Sequence, residues 1–314
     1  MLTVLKRGAT AFVTLADGDA IPTDAAWIEL ITPTRDEELA VEKALSLCVP
    51  TREEMAEIEV SSRLYEEHGG IFMTASLVVN ADSDMPGLEP VTFVLTGETL
   101  VTVRYFEPRA FAAYAGQLGR QVPAPTKGSE ALVGLLEAIV DRVADLIERA
   151  STDVETQSRA AFTRKGGVAA EQVQKLASIQ SLTSKARGSL AGLGRLVSYS
   201  PVNAACDGQM HQHLLALQHD IISLNDHANY VTAQINFMLD ATLGLIGIEQ
   251  NQVFKVLAVF SAVLMPPTLI AGVYGMNFQH MPELALRTGY PMALGLMALT
   301  MAGSLVWFKR KGWF

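Results

Sequence analysis

One row of residues stands out by type and spacing: Asp240, Asn251, Phe254, Leu257, Ser261, Met265, Thr268 and Gly272, with Gly244 and Gly247 falling into the same row. The steps are three and four, so the row runs along one face of a helix. Its C-terminal half, from Leu257 to Gly272, lies where Asp, Glu, Lys and Arg are absent, between Lys255 and Glu283. A lipid-facing row would be uniformly apolar, whereas this one mixes Asn, Ser, Thr and Gly with bulky apolar side chains. Polar residues within a membrane span face an interior or a wet cavity. An ordinary packing seam and the wall of an aqueous path have the same periodicity, and spacing alone leaves both open.

The element that must carry this row is a long helix. From a start between Pro201 and Gln209 there is no stop signal before Tyr274, and Gly244 and Gly247 weaken it by about 1 kcal/mol each without ending it. Its apolar part exceeds the ~20 residues needed to cross a hydrocarbon core about 30 Å thick. Pro266 and Pro267 remove two backbone donors in mid-span and point to a kink. A second charge-free run, Thr288 to Phe308, ends in Lys309, Arg310 and Lys311. The pair reads as a hairpin through a membrane, with Lys255 and the basic tail on the cytosolic side.

Upstream the chain reads as a soluble α/β or α+β domain. Trp27 to Ile31 is a strand. Thr34 and Glu37 form a capping box that opens a helix to about Leu47, ended by Pro50. Ile71 to Val79 is strand-rich, Val91–Leu95 and Thr99–Tyr105 form a hairpin about Thr96-Gly97-Glu98, and Pro108 starts a short helix to about Leu118. Gln121 to Gly128 is rich in Pro and Gly and marks a boundary. Long helices follow, Ser129 to about Lys165 and Val168 to about Tyr199, with Gly166-Gly167 as the turn. Glu137, Asp141, Asp145 and Glu148 share one face of the first.

Composition bounds the rest. A chain of 314 residues with 49 % hydrophobic content has room for one sizeable soluble domain and the hairpin. Net charge of -9 argues against nucleic acid as a partner. Cys48 and Cys206 are too few for a disulfide framework or a cysteine zinc site and fit a reducing cytosol. Met1 to Arg7 lacks the apolar core of a signal peptide. No Gly-x-x-x-x-Gly-Lys-Ser loop is present, and His211, His213, His219 and His227 are not spaced three or four apart, so neither ATP-driven chemistry nor a one-turn zinc site is expected.

Pro266-Pro267-Thr268-Leu269-Ile270-Ala271-Gly272, then Tyr274-Gly275-Met276-Asn277-Phe278, then Met281-Pro282-Glu283-Leu284 resemble the signature of the CorA family of magnesium channels. The resemblance is strongest from Phe237 to Phe314. It implies a funnel-shaped homo-oligomer, five-fold, whose α/β cytosolic domain is followed by long helices, the last running into a two-span C-terminal transmembrane hairpin. The expected division is 1–125 for the α/β domain, 126–250 for long helices and stalk, 251–275 for the first span, 276–290 for the outer loop, 291–308 for the second span and 309–314 for the tail. It implies a bacterial cytoplasmic membrane with both termini cytosolic.

In the resemblance, positions matching Asn251, Phe254, Leu257, Met265 and Thr268 line the pore. Phe254 and Leu257 are then expected to gate by dewetting, with Asp240 as an acidic ring at the cytosolic mouth. Magnesium sheds water reluctantly, so Asn277 is expected to hold the hydrated ion through neutral amide oxygens, with Gly275 turning the backbone, Tyr274 anchoring the interface and Glu283 drawing cations inward. Met276 favours magnesium, with cobalt and nickel as passengers, over the zinc-transporting branch. No resident cofactor is expected, magnesium being both substrate and regulatory ligand. Asp82 and Asp220 are the candidates for the regulatory sites, with Asp84 and Asp226 nearby. The rival from another class is a membrane-anchored regulatory protein without a pore.

Overall fold

The computed structural model describes every residue except 17, 84, 164–168, 207, 277–280, 283–285 and 314. The Gly166-Gly167 turn therefore lies outside the described residues. In chain order the elements are strands β1 (Leu2–Lys6), β2 (Val13–Thr14) and β3 (Ala25–Ile31), helices α1 (Arg35–Leu45), α2 (Arg52–Met55) and α3 (Val60–Arg63), and strands β4 (Leu64–Glu67), β5 (Gly70–Val79), β6 (Gly87–Thr96) and β7 (Thr99–Arg104). The helices α4 (Arg109–Gln117), α5 (Gly128–Thr163), α6 (Ala169–Val197), α7 (Ser200–Ala205), α8 (Gly208–Tyr274) and α9 (Gly289–Arg310) complete the chain.

The strands form one mixed sheet in the order β2-β1-β3-β7-β6-β5-β4, with β3 and β7 parallel and the other neighbours antiparallel. Successive side chains on a strand point to opposite faces, and here both faces are buried. Trp27, Met73, Phe93 and Leu100 enter the core shared with α4, α5, α6 and the first part of α8, while their neighbours Ile28, Phe72, Val94 and Val101 enter a second core under α1 and α2. The sheet and the long helices thus share one core, which makes Met1–Arg164 and Ala170–Leu239 one compact unit. The other unit, Lys165–Ala169 with Asp240–Phe314, holds the rest of α8 and all of α9.

Local signals explain the boundaries. Thr34 and Glu37 make a reciprocal capping box at the start of α1. The helix ends at Ser46 in the left-handed conformation, before Pro50 is reached. At the start of α5, Gly128 lies so close to the β6–β7 turn that a Cβ there would fall 2.4 Å from the Leu100 nitrogen and the Thr99 carbonyl carbon. Its N–H donates to the Glu98 carbonyl at 2.7 Å. The one buried ion pair between β3 and β7, Arg104 to Glu29 at 3.0 Å, is supported by the Thr3 hydroxyl donating to the same carboxylate at 3.1 Å.

Candidate functional site

The second unit contains two helices long and apolar enough to cross a membrane, and only 11 % and 6 % of their apolar windows are buried. Each has a face that protein does not cover. Near their charged ends the two meet: the Lys255 ammonium lies 5.9 Å from the ring centre of Trp313, just past α9, and Lys311 lies 4.9 Å from that of Trp307. Phe308 packs edge-on against Trp307 and obliquely against Trp313. The start of the first apolar run and the end of the second are therefore on one side, as a hairpin requires. Aromatic rings beside lysines suit a membrane–water interface.

Every member of the predicted row from Asp240 through Asn251, Phe254, Leu257, Ser261, Met265 and Thr268 to Gly272 is exposed in the single chain. Phe254 is 66 % and Met265 70 % exposed, as are off-row neighbours such as Val256 at 71 % and Leu269 at 67 %, while Val259 is 7 %. Gly244, Gly247 and Gly272 have nothing within 4 Å of where a Cβ would stand, so the face is open for close approach. Along this part of α8 a shallow groove of about 680 Å³ is lined by Phe260, Ser261, Met265, Thr268, Gly272 and Met276. The helix continues through Pro266 and Pro267. One turn on, the Thr268 hydroxyl donates to the Leu264 carbonyl at 2.7 Å.

At the end of α8 the Gly275 N–H donates to Ala271 O at 2.9 Å and the Met276 N–H to Val273 O at 3.2 Å, tightening the last turn. Gly275 is the turn residue directly after α8, as expected, and it makes this turn without a positive φ. Its small size serves instead to bring it close to the helix, since a Cβ would stand 3.1 Å from the Ala271 carbonyl oxygen. Tyr274 is half-buried and Met276 exposed. Asn277 and Glu283 lie outside the described residues.

The two regulatory candidates fare differently. Asp82 accepts from Arg109 at 2.6 Å and Arg149 at 2.5 Å, and those guanidiniums, the Arg149 hydrogen bond foremost, hold its carboxyl below the usual range. A carboxylate shared by two guanidiniums is already neutralised, so within this chain Asp82 is an ion-pair partner rather than a free cation ligand. Asp220 lies with Glu137, Asp141 and His213 along a cavity of about 380 Å³ between α5 and α8. Burial, then the charges of Glu137, Asp145 and Asp220, pushes the Asp141 carboxyl up. The helical spacing found Glu137 and Asp141; it could not show that Asp220 faces them, nor that His213 Nδ1 meets Glu137 at 2.7 Å. Among the described residues no three His, Cys, Asp or Glu side chains converge in a way that would hold a metal ion.

Three comparisons bear on these features. The family model described as CorA-like Mg2+ transporter protein matches residues 23–310. The chain is 33 % identical over 290 residues to the magnesium transport protein CorA of Pasteurella multocida and 33 % identical over 291 residues to that of Salmonella typhimurium, covering 92 % of each chain in both cases. The complete structure of the CorA magnesium transporter from Methanocaldococcus jannaschii superposes on all of this chain and 99 % of that one with a TM-score of 0.73 at 17 % identity, a likeness of fold. With two apolar helices in a hairpin and a family match that runs from the sheet to the last turn of α9, the chain belongs to the CorA family of magnesium transporters.

Proposed function

We propose that this chain is one protomer of a passive channel that admits magnesium through a path on the axis of a homo-oligomer, five-fold by the family resemblance. A single hairpin has no interior, so an aqueous path needs several copies. The observation that carries the reading is the uncovered row from Asp240 to Gly272: one continuous face of α8, polar and small residues interleaved with Phe254, Leu257 and Met265, left open by the protomer itself. The sequence similarity to relatives named as magnesium transport proteins supports the same cargo.

In this reading Asn251, Ser261 and Thr268 offer hydrogen bonds to ion-borne water, and rings of Phe254 and Leu257 close the path by dewetting. Asp240 gathers cations at the cytosolic mouth, and Glu283 does so outside. Asn277, behind Tyr274, Gly275 and Met276, greets the hydrated dication with uncharged amide oxygens, which suits a small ion that sheds water reluctantly. Cobalt and nickel share the path. Inward movement of two charges gains about 4.6 kcal/mol per 100 mV, at roughly 2.3 per charge, so no fuel is required. The protein sits in the bacterial cytoplasmic membrane with both termini in the cytosol. Magnesium on the acidic groove of Asp220 and Asp141 closes the channel.

The test is ion flux into proteoliposomes made with the purified protein. Magnesium uptake driven by an inside-negative potential, competed by cobalt and nickel and lost in Asn277→Ala, is the expected result. Zinc-selective uptake would move the chain to the zinc-transporting branch, and an oligomer without flux would make it a membrane-anchored regulator.

A further inference from the structure

One cavity of the first unit is unrelated to the row on α8. It measures about 710 Å³ and lies where the β5–β6 loop, the β7–α4 junction, α5 and α6 meet. In a chain of net charge -9, arginines converge here: Arg52, Arg109 and Arg142 line the cavity, and Arg149 clamps the loop that forms its rim. Arg52 is preset by lying 5.3 Å from the ring centre of Tyr105. Among the described residues its carboxylate contact, to Glu89, is long at 3.9 Å, and that of Arg142, to Asp145, is 4.0 Å. The acids on the wall are Asp82, Glu89 and Glu107. Asp82 is taken up by Arg109 and Arg149, and Glu107 is exposed.

A second observation comes from the opposite wall. Ser189 of α6 lines the cavity, is wholly buried, and its hydroxyl has no hydrogen-bond partner. A buried hydroxyl without a partner costs free energy comparable to a lost hydrogen bond. Arg52 and Arg142, whose carboxylate contacts are long, describe a place for an oxyanion, because the planar fork of arginine matches phosphate geometry. The volume is in the range of small-molecule sites and exceeds what a bare inorganic ion fills.

We propose that this cavity binds an organic phosphate of nucleotide size, with its phosphate on Arg142 and Arg109. Asp82 competes with the ligand for Arg109. This assignment stands apart from the transport reading, since every residue in it belongs to the unit that holds the sheet.

The experiment is calorimetric titration of the full-length protein in detergent, free of divalent cations, with adenosine monophosphate and separately with orthophosphate. Saturable binding of the nucleotide is expected, with orthophosphate weaker. Arg142→Gln should weaken the nucleotide about tenfold, the worth of one charge-assisted hydrogen bond. Asp82→Asn should tighten it several-fold by releasing Arg109, an effect in the opposite direction that damage to the fold would not produce. Absence of saturable heat for both probes overturns the proposal. So does binding that neither substitution changes, which would place the ligand elsewhere, and orthophosphate binding as tightly as the nucleotide would refute the organic-phosphate assignment.

Discussion

Consider Phe254→Ala. The ring is 66 % exposed in the protomer. An aromatic side chain of about 200 Å² thus leaves roughly 130 Å² uncovered, which at about 25 cal/mol per Å² is worth up to about 3 kcal/mol once rings from neighbouring copies close over it. If Phe254 belongs to the dewetted neck, its loss weakens the closed state by that amount per protomer, about a hundredfold in the ratio of closed to open. The assay is magnesium flux into proteoliposomes carrying high internal magnesium, the condition in which the proposed mechanism has the wild-type protein shut. The variant should conduct under those conditions, and its oligomer should remain intact by size-exclusion chromatography. A variant that shuts as tightly as the wild type would refute the placement, because a ring facing lipid contributes equally to both states.

Three further outcomes follow from the geometry. Asp220→Ala should weaken inhibition by internal magnesium, measured as a rightward shift in the concentration that halves flux. Asp141→Asn should raise the thermal midpoint in magnesium-free buffer: a carboxyl whose folded pKa is raised, by burial and then by Glu137, Asp145 and Asp220, favours the folded state below its unfolded pKa of about 3.9 and loses that advantage as pH climbs through the folded value. The gain in the midpoint should therefore grow from pH 4 to pH 8. Gly128→Ala should cost at least about 1–3 kcal/mol in unfolding measurements, because the 2.4 Å approach is to backbone and has no flexible side chain to yield.

Features set by nearby residues were legible in the sequence. The capping box at Thr34 and Glu37, the hairpin about Gly97 with its positive φ, and the unbroken α8 through Gly244 and Gly247 all depend on local chemistry. The row on α8 was readable because helical periodicity places residues on a face without any knowledge of tertiary structure. Long-range pairing was not readable. Strand β1 is five residues whose identity as a strand depends on antiparallel pairing with β3, and the parallel β3–β7 pair brings together segments far apart in the chain. Pro201 lies in the break between α6 and α8, where it opens the short helix α7, a proline in the first turn being tolerated. The stretch from Gln121 to Gly128 marked a change from strands to helices, while the core runs through it.

The same division holds at the candidate sites. Asp82 was identifiable as an acid in a loop, but Arg149, its partner from α5, is 67 residues away and no local pattern points to it. Asp220 could be placed on its helix, and only packing shows that it faces Asp141 and lies near the Glu137–His213 contact. Gly275 illustrates a subtler limit. Its type announced a backbone constraint at the end of α8, but not whether that constraint was a reversed φ or crowding by the Ala271 carbonyl.

The most direct test of the account asks whether the uncovered face of α8 meets water. In a background with Cys48 and Cys206 replaced, a single Ser261→Cys is reconstituted and treated with a charged, membrane-impermeant thiol reagent while magnesium flux is recorded; Leu299→Cys on α9, at a position 70 % exposed in the protomer, serves as the lipid-side comparison. The account predicts that Ser261→Cys reacts under conducting conditions and flux stops, while Leu299→Cys neither reacts nor changes flux. An unreactive Ser261→Cys with flux undiminished would contradict it.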